Sequence, residues 1–207
     1  VKRHKAGYHD WNLYQNIASA TKLREMNRNN ENINDFIPYK LEDINCDIPY
    51  DISNLDSAII SKLRLMTAED LQNISEVTEG IENRILSSAN MSYSFETLVE
   101  NVKNKRYTTS KIRRMIISAL IDFTKNIYSP MPQYIRILGM NKVGMTILKQ
   151  AKDICKVPII TKTADFKEQS PQFNLDVRAT NIAMLCNPIP THRIGNADLK
   201  KSPIIMK

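Results

Sequence analysis

The sequence predicts a mainly α chain: a helical bundle followed by a small C-terminal β-α-β unit. Three observations predict it. From Ser57 to about Tyr128, apolar residues recur at helical spacing behind a series of hydroxyl caps. From Tyr134 to Ile160, two short β-branched runs flank one further amphipathic stretch. Five glycines in 207 residues are too few for a glycine-rich all-β fold, and no Gly-x-Gly-x-x-Gly occurs.

The bundle is justified element by element. Ser57 is placed to cap a helix with Ile59, Ile60, Leu63 and Met66 on one face. Thr67 and Asp70 match a capping box for a short helix carrying Leu71 and Ile74. Thr78 is placed to start a helix with Ile81, Ile85 and Leu86 inward, and Ser94 one with Phe95, Leu98, Val99 and Val102. Thr108 or Thr109 caps the longest, whose stripe runs from Ile112, Met115 and Ile116 through Ala119, Leu120 and Phe123 to Ile127. Short connections favour antiparallel neighbours, hence a bundle. The Met and Leu stripes read as core, since no ligand spacing accompanies them.

Beyond the bundle, Tyr134–Leu138 reads as a strand, Asn141 as the cap of a helix with Val143, Ile147, Leu148 and Ala151, and Val157–Ile160 as a second strand. Gly139–Gly144 lacks a Gly-Lys-Ser/Thr ending and reads as a strand-to-helix turn, not a P-loop. Asp165–Asn174 reads as a polar loop and Leu175–Leu185 as a last helix. The tail after Cys186, with Pro188, Pro190 and Pro203, reads as irregular or ordered only by contact. Before the bundle, Asn30–Asp56 is rich in Asn and Asp, interrupted by Pro38 and Pro49, and reads as a linker. The expected divisions are residues 1–30, a linker 31–56, the bundle 57–130, and an α/β unit with its tail, 131–207.

Composition narrows function. The chain is 42% hydrophobic and 25% charged, with a net charge of +7, a modest basic excess compatible with nucleic acid. No apolar run is long enough to span a membrane, and no secretory signal is visible. Cys46, Cys155 and Cys186 are odd in number and far apart, which suggests a reducing cytoplasm and no metal or disulfide framework. His4, His9 and His192 form no metal pattern, so no metal site is expected, and Tyr8-His9-Asp10 reads as structural rather than as a catalytic pair.

Two stretches carry candidate chemistry. In Ile17-Ala18-Ser19-Ala20-Thr21-Lys22-Leu23-Arg24, Ser19 caps a helix whose apolar stripe begins at Leu23 and Met26. A helix start offers N–H groups and the positive end of the macrodipole, and Thr21 and Arg24 lie within reach of the same anion. By itself the octapeptide also fits an ordinary capped surface helix. Second, Asn101–Ile121 holds Lys103, Lys105, Arg106, Lys111, Arg113 and Arg114 with no acid among them. Cations in the first turns of a helix oppose its dipole at roughly 0.3–1 kcal/mol each, a cost that bound phosphate would reverse. A solvated charged face remains the alternative.

The octapeptide resembles the Ser/Thr-rich second signature of the nucleotidyltransferase superfamily, with Ala20 where many members carry another hydroxyl. Taken in order, five segments resemble the bacterial tRNA(Met) cytidine acetate ligase family. They are Arg3–Asp10, Ile17–Arg24, Val77–Arg84, Lys103–Thr108 and Tyr134–Met140. The resemblance implies that a Rossmann-like nucleotidyltransferase domain precedes the bundle, its tail end lying in residues 1–30. It implies ATP, with Mg2+, activating acetate as acetyl-adenylate. The acetyl group then passes to the exocyclic amine of the wobble cytidine of elongator methionine tRNA. It also implies that Arg3, His4, Ser19, Thr21 and Arg24 serve ATP, and that Lys103, Lys105, Arg106, Lys111, Arg113 and Arg114 contact tRNA. The superfamily's first signature, His-x-Gly-His, occurs nowhere in the 207 residues. The chain starts at Val1 inside a motif-rich stretch, so the expectation is the C-terminal portion of a longer enzyme, holding half a nucleotide site and inactive alone. An adenylyltransferase acting on a small molecule and a non-catalytic RNA-binding module are the other readings.

Overall fold

The structure, a computed structural model, describes residues 12, 17–29, 31–37, 51–78, 80–129, 131–166 and 170–206. Arg3, His4, Tyr8-His9-Asp10, Cys46 and half of the expected linker lie outside the described residues. Contacts divide the chain into two compact units, Val1–Asp51 and Ile52–Lys207.

In the first unit, helix α1 spans Ala20–Arg28. Ser19 is its N-cap, in extended conformation, and its hydroxyl oxygen accepts the N–H of Lys22 at 3.1 Å. Met26 is buried beneath it, and a short 3-10 turn follows at Asn34–Phe36.

The second unit opens with a 3-10 turn, Ile52–Leu55, that runs directly into α2, Asp56–Leu65. Ser57 is therefore inside the helix and not its cap: the preceding turn already carries helical backbone. Asp56 instead accepts the N–H of Phe95 at 2.8 Å. Helix α3, Ala68–Gln72, has the expected Thr67/Asp70 capping box. Helix α4, Glu82–Met91, starts four residues later than Thr78 suggested. Gly80 is left-handed (φ +87°) and breaks the run, which frees the Thr78 hydroxyl to pair with Tyr107 Oη at 2.7 Å. Helix α5, Phe95–Val102, has a Ser94/Thr97 capping box, and Thr108 caps α6, Thr109–Leu120.

Helix α6 stops at Leu120 and does not reach Ile127. Asp122 is left-handed (φ +53°), and the N–H groups of Asp122 and Phe123 return to Ala119 (3.3 Å) and Ser118 (2.8 Å), a Schellman closure. The side chain of Asp122 is held by Lys62 at 2.8 Å and faces Arg178 at 3.7 Å. The chain then bridges antiparallel from Thr124 to Ile74.

The core of this bundle joins Ile59, Leu63, Leu71, Ile85, Leu98, Val99, Ile112, Met115 and Ile116, all at most 1% exposed. Each such side chain contributes roughly 1.5–3 kcal/mol by leaving water. The helix ends need a different solution, because their last carbonyls have no intrahelical partner. Arg64 of α2 donates to the carbonyls of Ala89, Asn90 and Ser92 at the end of α4, at 3.1–3.4 Å. Arg84 of α4 donates to Asn101, Val102 and Lys103 at the end of α5, at 2.8–3.0 Å.

The β-α-β unit is present. Strand β1, Ile135–Arg136, pairs in parallel with β3, Ile159–Ile160, across helix α7, Lys142–Ile154, capped by Asn141. Both strands are shorter than the apolar runs that announced them. Gly139–Met140 is more than a turn: it forms β2, parallel to β4, Ile204–Ile205, so the tail is ordered by pairing. Helix α8, Pro171–Met184, starts earlier than Leu175 because Ser170 caps it and Pro171 takes the first position. Arg178 of α8 donates to the Ile121 carbonyl at 3.0 Å, closing the end of α6. The buried Cys186 completes the bundle core. In a last short helix, α9, Ala197–Lys200, the buried Asp198 pairs with Arg136 at 2.6 Å. Burial and an acidic partner, Asp176, raise the Tyr134 hydroxyl far above its ordinary pKa, while Phe166 and Phe173 pack against its ring.

Replacing Arg84 by Ala should destabilise the Ile52–Lys207 unit by about 1.5–3 kcal/mol, the scale for hydrogen bonds to a charged group. Arg84→Lys should restore only part, since an ammonium has no planar fork. Urea denaturation checks both. Glu82 supplies a second test. It is 4% exposed at the start of α4. Its own backbone N–H and the Gln72 amide (3.1 Å) hold its carboxyl below the ordinary 4.5, against the opposing effect of burial. That stabilisation is complete above the ordinary value and is lost as pH falls through the lowered native one. Glu82→Gln should therefore flatten the acid limb of the stability profile, read as denaturation midpoints between roughly pH 7 and pH 3.

Candidate functional site

Two surfaces were expected, and each is described within its own unit. At the start of α1 the first-turn N–H groups lie at the positive end of the helix dipole, and no acidic residue occupies that turn. Arg24 donates to the Thr21 hydroxyl at 3.4 Å, so these two side chains stand together on the outer part of the helix. Ser19 behaves differently. It is 3% exposed and its oxygen serves the helix as cap acceptor, so it shapes the start of the helix more than it projects from it. Lys22 is paired with Glu25 at 3.2 Å. A cationic fork beside a hydroxyl at a helix N-terminus suits a polyphosphate. Arg3 and His4, assigned to the same nucleotide, lie outside the described residues.

The second surface is built on the turn between α5 and α6. Asn104 Oδ1 accepts the N–H groups of Arg106 (2.9 Å) and Tyr107 (3.1 Å), and Asn104 bridges back to Tyr107. This tight turn pushes Lys105 and Arg106 into solvent. The Tyr107 ring carries two cations, the Arg106 guanidinium at 5.3 Å and the Lys111 ammonium at 5.2 Å from its centroid.

The six predicted cations do not form one unneutralised cluster, and the absence of acids within Asn101–Ile121 was misleading. Acids arrive from neighbouring elements. Lys103 pairs with Glu100 at 3.4 Å and Arg114 with Glu76 at 3.6 Å. Arg113 forks onto both carboxylate oxygens of Glu96 and lies 5.2 Å over the Phe95 ring. Among the described residues, Lys105, Arg106 and Lys111 have no ion pair, and Arg106 and Lys111 stand over the Tyr107 ring. Exposed pairs are worth roughly 0–1 kcal/mol, so a nucleic-acid phosphate can still compete for the other three.

Sequence reasoning missed the parts that hold this turn. Thr78 anchors Tyr107 by its hydroxyl, and Arg84 gathers the carbonyls that lead into the turn. Both lie in Val77–Arg84, so two of the quoted segments meet in space. The signal was their shared membership of that ordered set, but nothing in spacing alone pairs positions 78 and 107. Among the described residues, no group of three or more His, Cys, Asp and Glu forms a metal-ligand set, and no helix is long and apolar enough to cross a membrane.

The chain is 33% identical over 236 residues to tRNA(Met) cytidine acetate ligase of Thermosipho africanus (strain TCF52B), covering all of this chain and 56% of that protein. It is 31% identical over 219 residues to tRNA(Met) cytidine acetate ligase of Clostridium botulinum (strain Loch Maree / Type A3), covering all of this chain and 52% of that protein. The fold is similar to Thermotoga maritima TmcAL in its apo form, with a TM-score of 0.85 and 28% identity over all of this chain and 55% of that one. TmcAL bound with alpha-thio ATP matches with a TM-score of 0.79 and 28% identity, over 94% of this chain and 53% of that one. The chain thus spans about half the length of the relatives it matches. A family model described as HIGH Nucleotidyl Transferase matches residues 1–198, and this chain belongs to that family.

Proposed function

We propose that this chain is part of an ATP-dependent ligase that acetylates the wobble cytidine of elongator methionine tRNA. The observation that carries this reading is the match of the entire chain to relatives named tRNA(Met) cytidine acetate ligase. The two surfaces fit the two halves of such a reaction. In the first half an acetate oxygen attacks the α-phosphorus of ATP and pyrophosphate leaves, giving acetyl-adenylate. In the second the cytidine N4 attacks the acetyl carbon, AMP departs with the bonding pair, and the amine loses a proton. Thr21 and Arg24 would hold and neutralise the polyphosphate at the α1 start, with Ser19 fixing the helix that carries them. The TmcAL structure bound with alpha-thio ATP supports ATP as the nucleotide. Among the described residues no acidic side chain stands in the first turn of α1 to ligate Mg2+. Lys105, Arg106 and Lys111 would meet tRNA phosphates, with Lys103, Arg113 and Arg114 exchanging their carboxylate partners for the same polyanion. A tRNA substrate supports a cytoplasmic location for the enzyme.

In the full-length gene product, Thr21→Ala with Arg24→Ala should weaken ATP binding by about 1.5–3 kcal/mol per charge-assisted bond lost. Unchanged ATP affinity in calorimetry would remove α1 from the nucleotide site. Neutralising Lys105, Arg106 and Lys111 together should make the log-log salt dependence of methionine tRNA binding shallower by about two to three units, if each meets one phosphate. Filter binding over a salt series measures it, and an unaltered slope would return the three to a solvated face.

A further inference from the structure

Along α6 lies a cleft of about 440 Å3 whose apolar part the proposed function does not use. Its volume falls within the roughly 300–1,000 Å3 typical of small-molecule sites. Ile52, Phe95, Ile117 and Phe123 line it, and Glu76, Arg113 and Arg114 stand with them. Lining of this kind in a basic surface is unusual, because an apolar recess adds nothing to phosphate binding.

We propose that this cleft receives one unstacked nucleobase of a single-stranded RNA segment whose phosphates run along α6. The inference rests on the reading of this chain as RNA-binding and names the part of the RNA that the cleft takes. Two observations carry it. Lys111, Arg114 and Ser118 follow i, i+3, i+7 spacing, so Lys111, which stands over the Tyr107 ring, and the cleft share one side of α6. A cationic stretch therefore leads into an apolar recess along one side of the helix, which suits a single strand with one base splayed out. Second, the Glu76 carboxylate is 3.6 Å from Arg114, beyond hydrogen-bond length, and keeps acceptor capacity at the cleft. A carboxylate there accepts from an exocyclic amine, which favours cytosine or adenine over uracil. Arg114 is then left to the phosphate next to the bound base. An amphipathic peptide would fill the apolar part equally well, but it has no use for the row of unpaired cations beyond it.

The test uses the full-length gene product and a labelled RNA hairpin carrying the methionine anticodon loop, with one loop nucleotide at a time made abasic. One abasic position should weaken binding by about 5- to 150-fold, the effect of losing one stacked base. With Ile117→Trp, which fills the cleft, the same abasic position should make no difference. Glu76→Gln, a surface change that leaves the core intact, should reduce the preference for cytosine or adenine over uracil at that position. An abasic penalty that persists in Ile117→Trp overturns the proposal, as does the absence of a penalty at every position. In that second case the salt slope of the Lys105/Arg106/Lys111 variant still judges the tRNA reading separately. If the unaltered protein binds no RNA, both fail. If Ile117→Trp leaves RNA binding intact and changes the mass seen by light scattering, the cleft belongs to a second copy of the chain. If Ile117→Trp does not fold, unchanged base preference in Glu76→Gln overturns the proposal.

Discussion

The bundle depends on how its helix ends are closed. A helix presents four carbonyls at its C-terminus without partners, and burying them unpaired costs about 1–3 kcal/mol each. Here a guanidinium from another helix meets the need three times: Arg64 at α4, Arg84 at α5 and Arg178 at α6. Because each arginine sits on a different helix from the carbonyls it binds, every closure also fixes the relation between two helices. The closing of α5 by Arg84 sets the direction in which residues 103–108 leave the helix. The placement of the cationic turn is thus a by-product of satisfying backbone groups.

The same economy governs charge. Lys103, Arg113 and Arg114 each have a carboxylate within reach, whereas Arg106 and Lys111 stand over the ring of one tyrosine and Lys105 is exposed in the turn before it. A ring quadrupole holds cations without neutralising them, so they keep their full attraction for an outside anion. Arg113 does both, forking onto Glu96 while covering Phe95. The α6 start therefore has a fixed half and an available half, and the available half is smaller than composition suggests.

Much of the fold was legible from the residues. The caps at Ser19, Thr67, Ser94, Thr108 and Asn141 are local chemistry, and each helix begins where its hydroxyl or amide says. Failures came where tertiary partners intervened. Asp122 ends α6 because Lys62 and Arg178 hold it in a left-handed conformation, and neither is near it in sequence. Thr78 is a good cap by type, but Tyr107 takes its hydroxyl. The Ile204–Ile205 pairing with β2 could not be read, since two residues carry no periodicity. For the candidate site, residue types pointed to anions, but which cations are neutralised is decided by Glu76 and Glu96, outside the stretch that drew notice.

The pairing of β2 with β4 also has a bearing on synthesis. Gly139 faces Ile204, a separation of 204 − 139 = 65 residues. The fit is close: a Cβ at Gly139 would lie 3.3 Å from the Ile204 carbonyl oxygen. At about 5–20 residues per second, the ribosome takes roughly 3–13 s to deliver the partner strand after β2 has been made. The bundle helices, α2 to α6, precede β2 in the chain and are free to pack in that interval. Gly139 and Met140 meanwhile present an open edge, and such edges recruit strands from other nascent chains. Keeping that edge to two residues, one of them a glycine with no side chain to anchor a stranger, limits the exposure until Ile204 and Ile205 arrive.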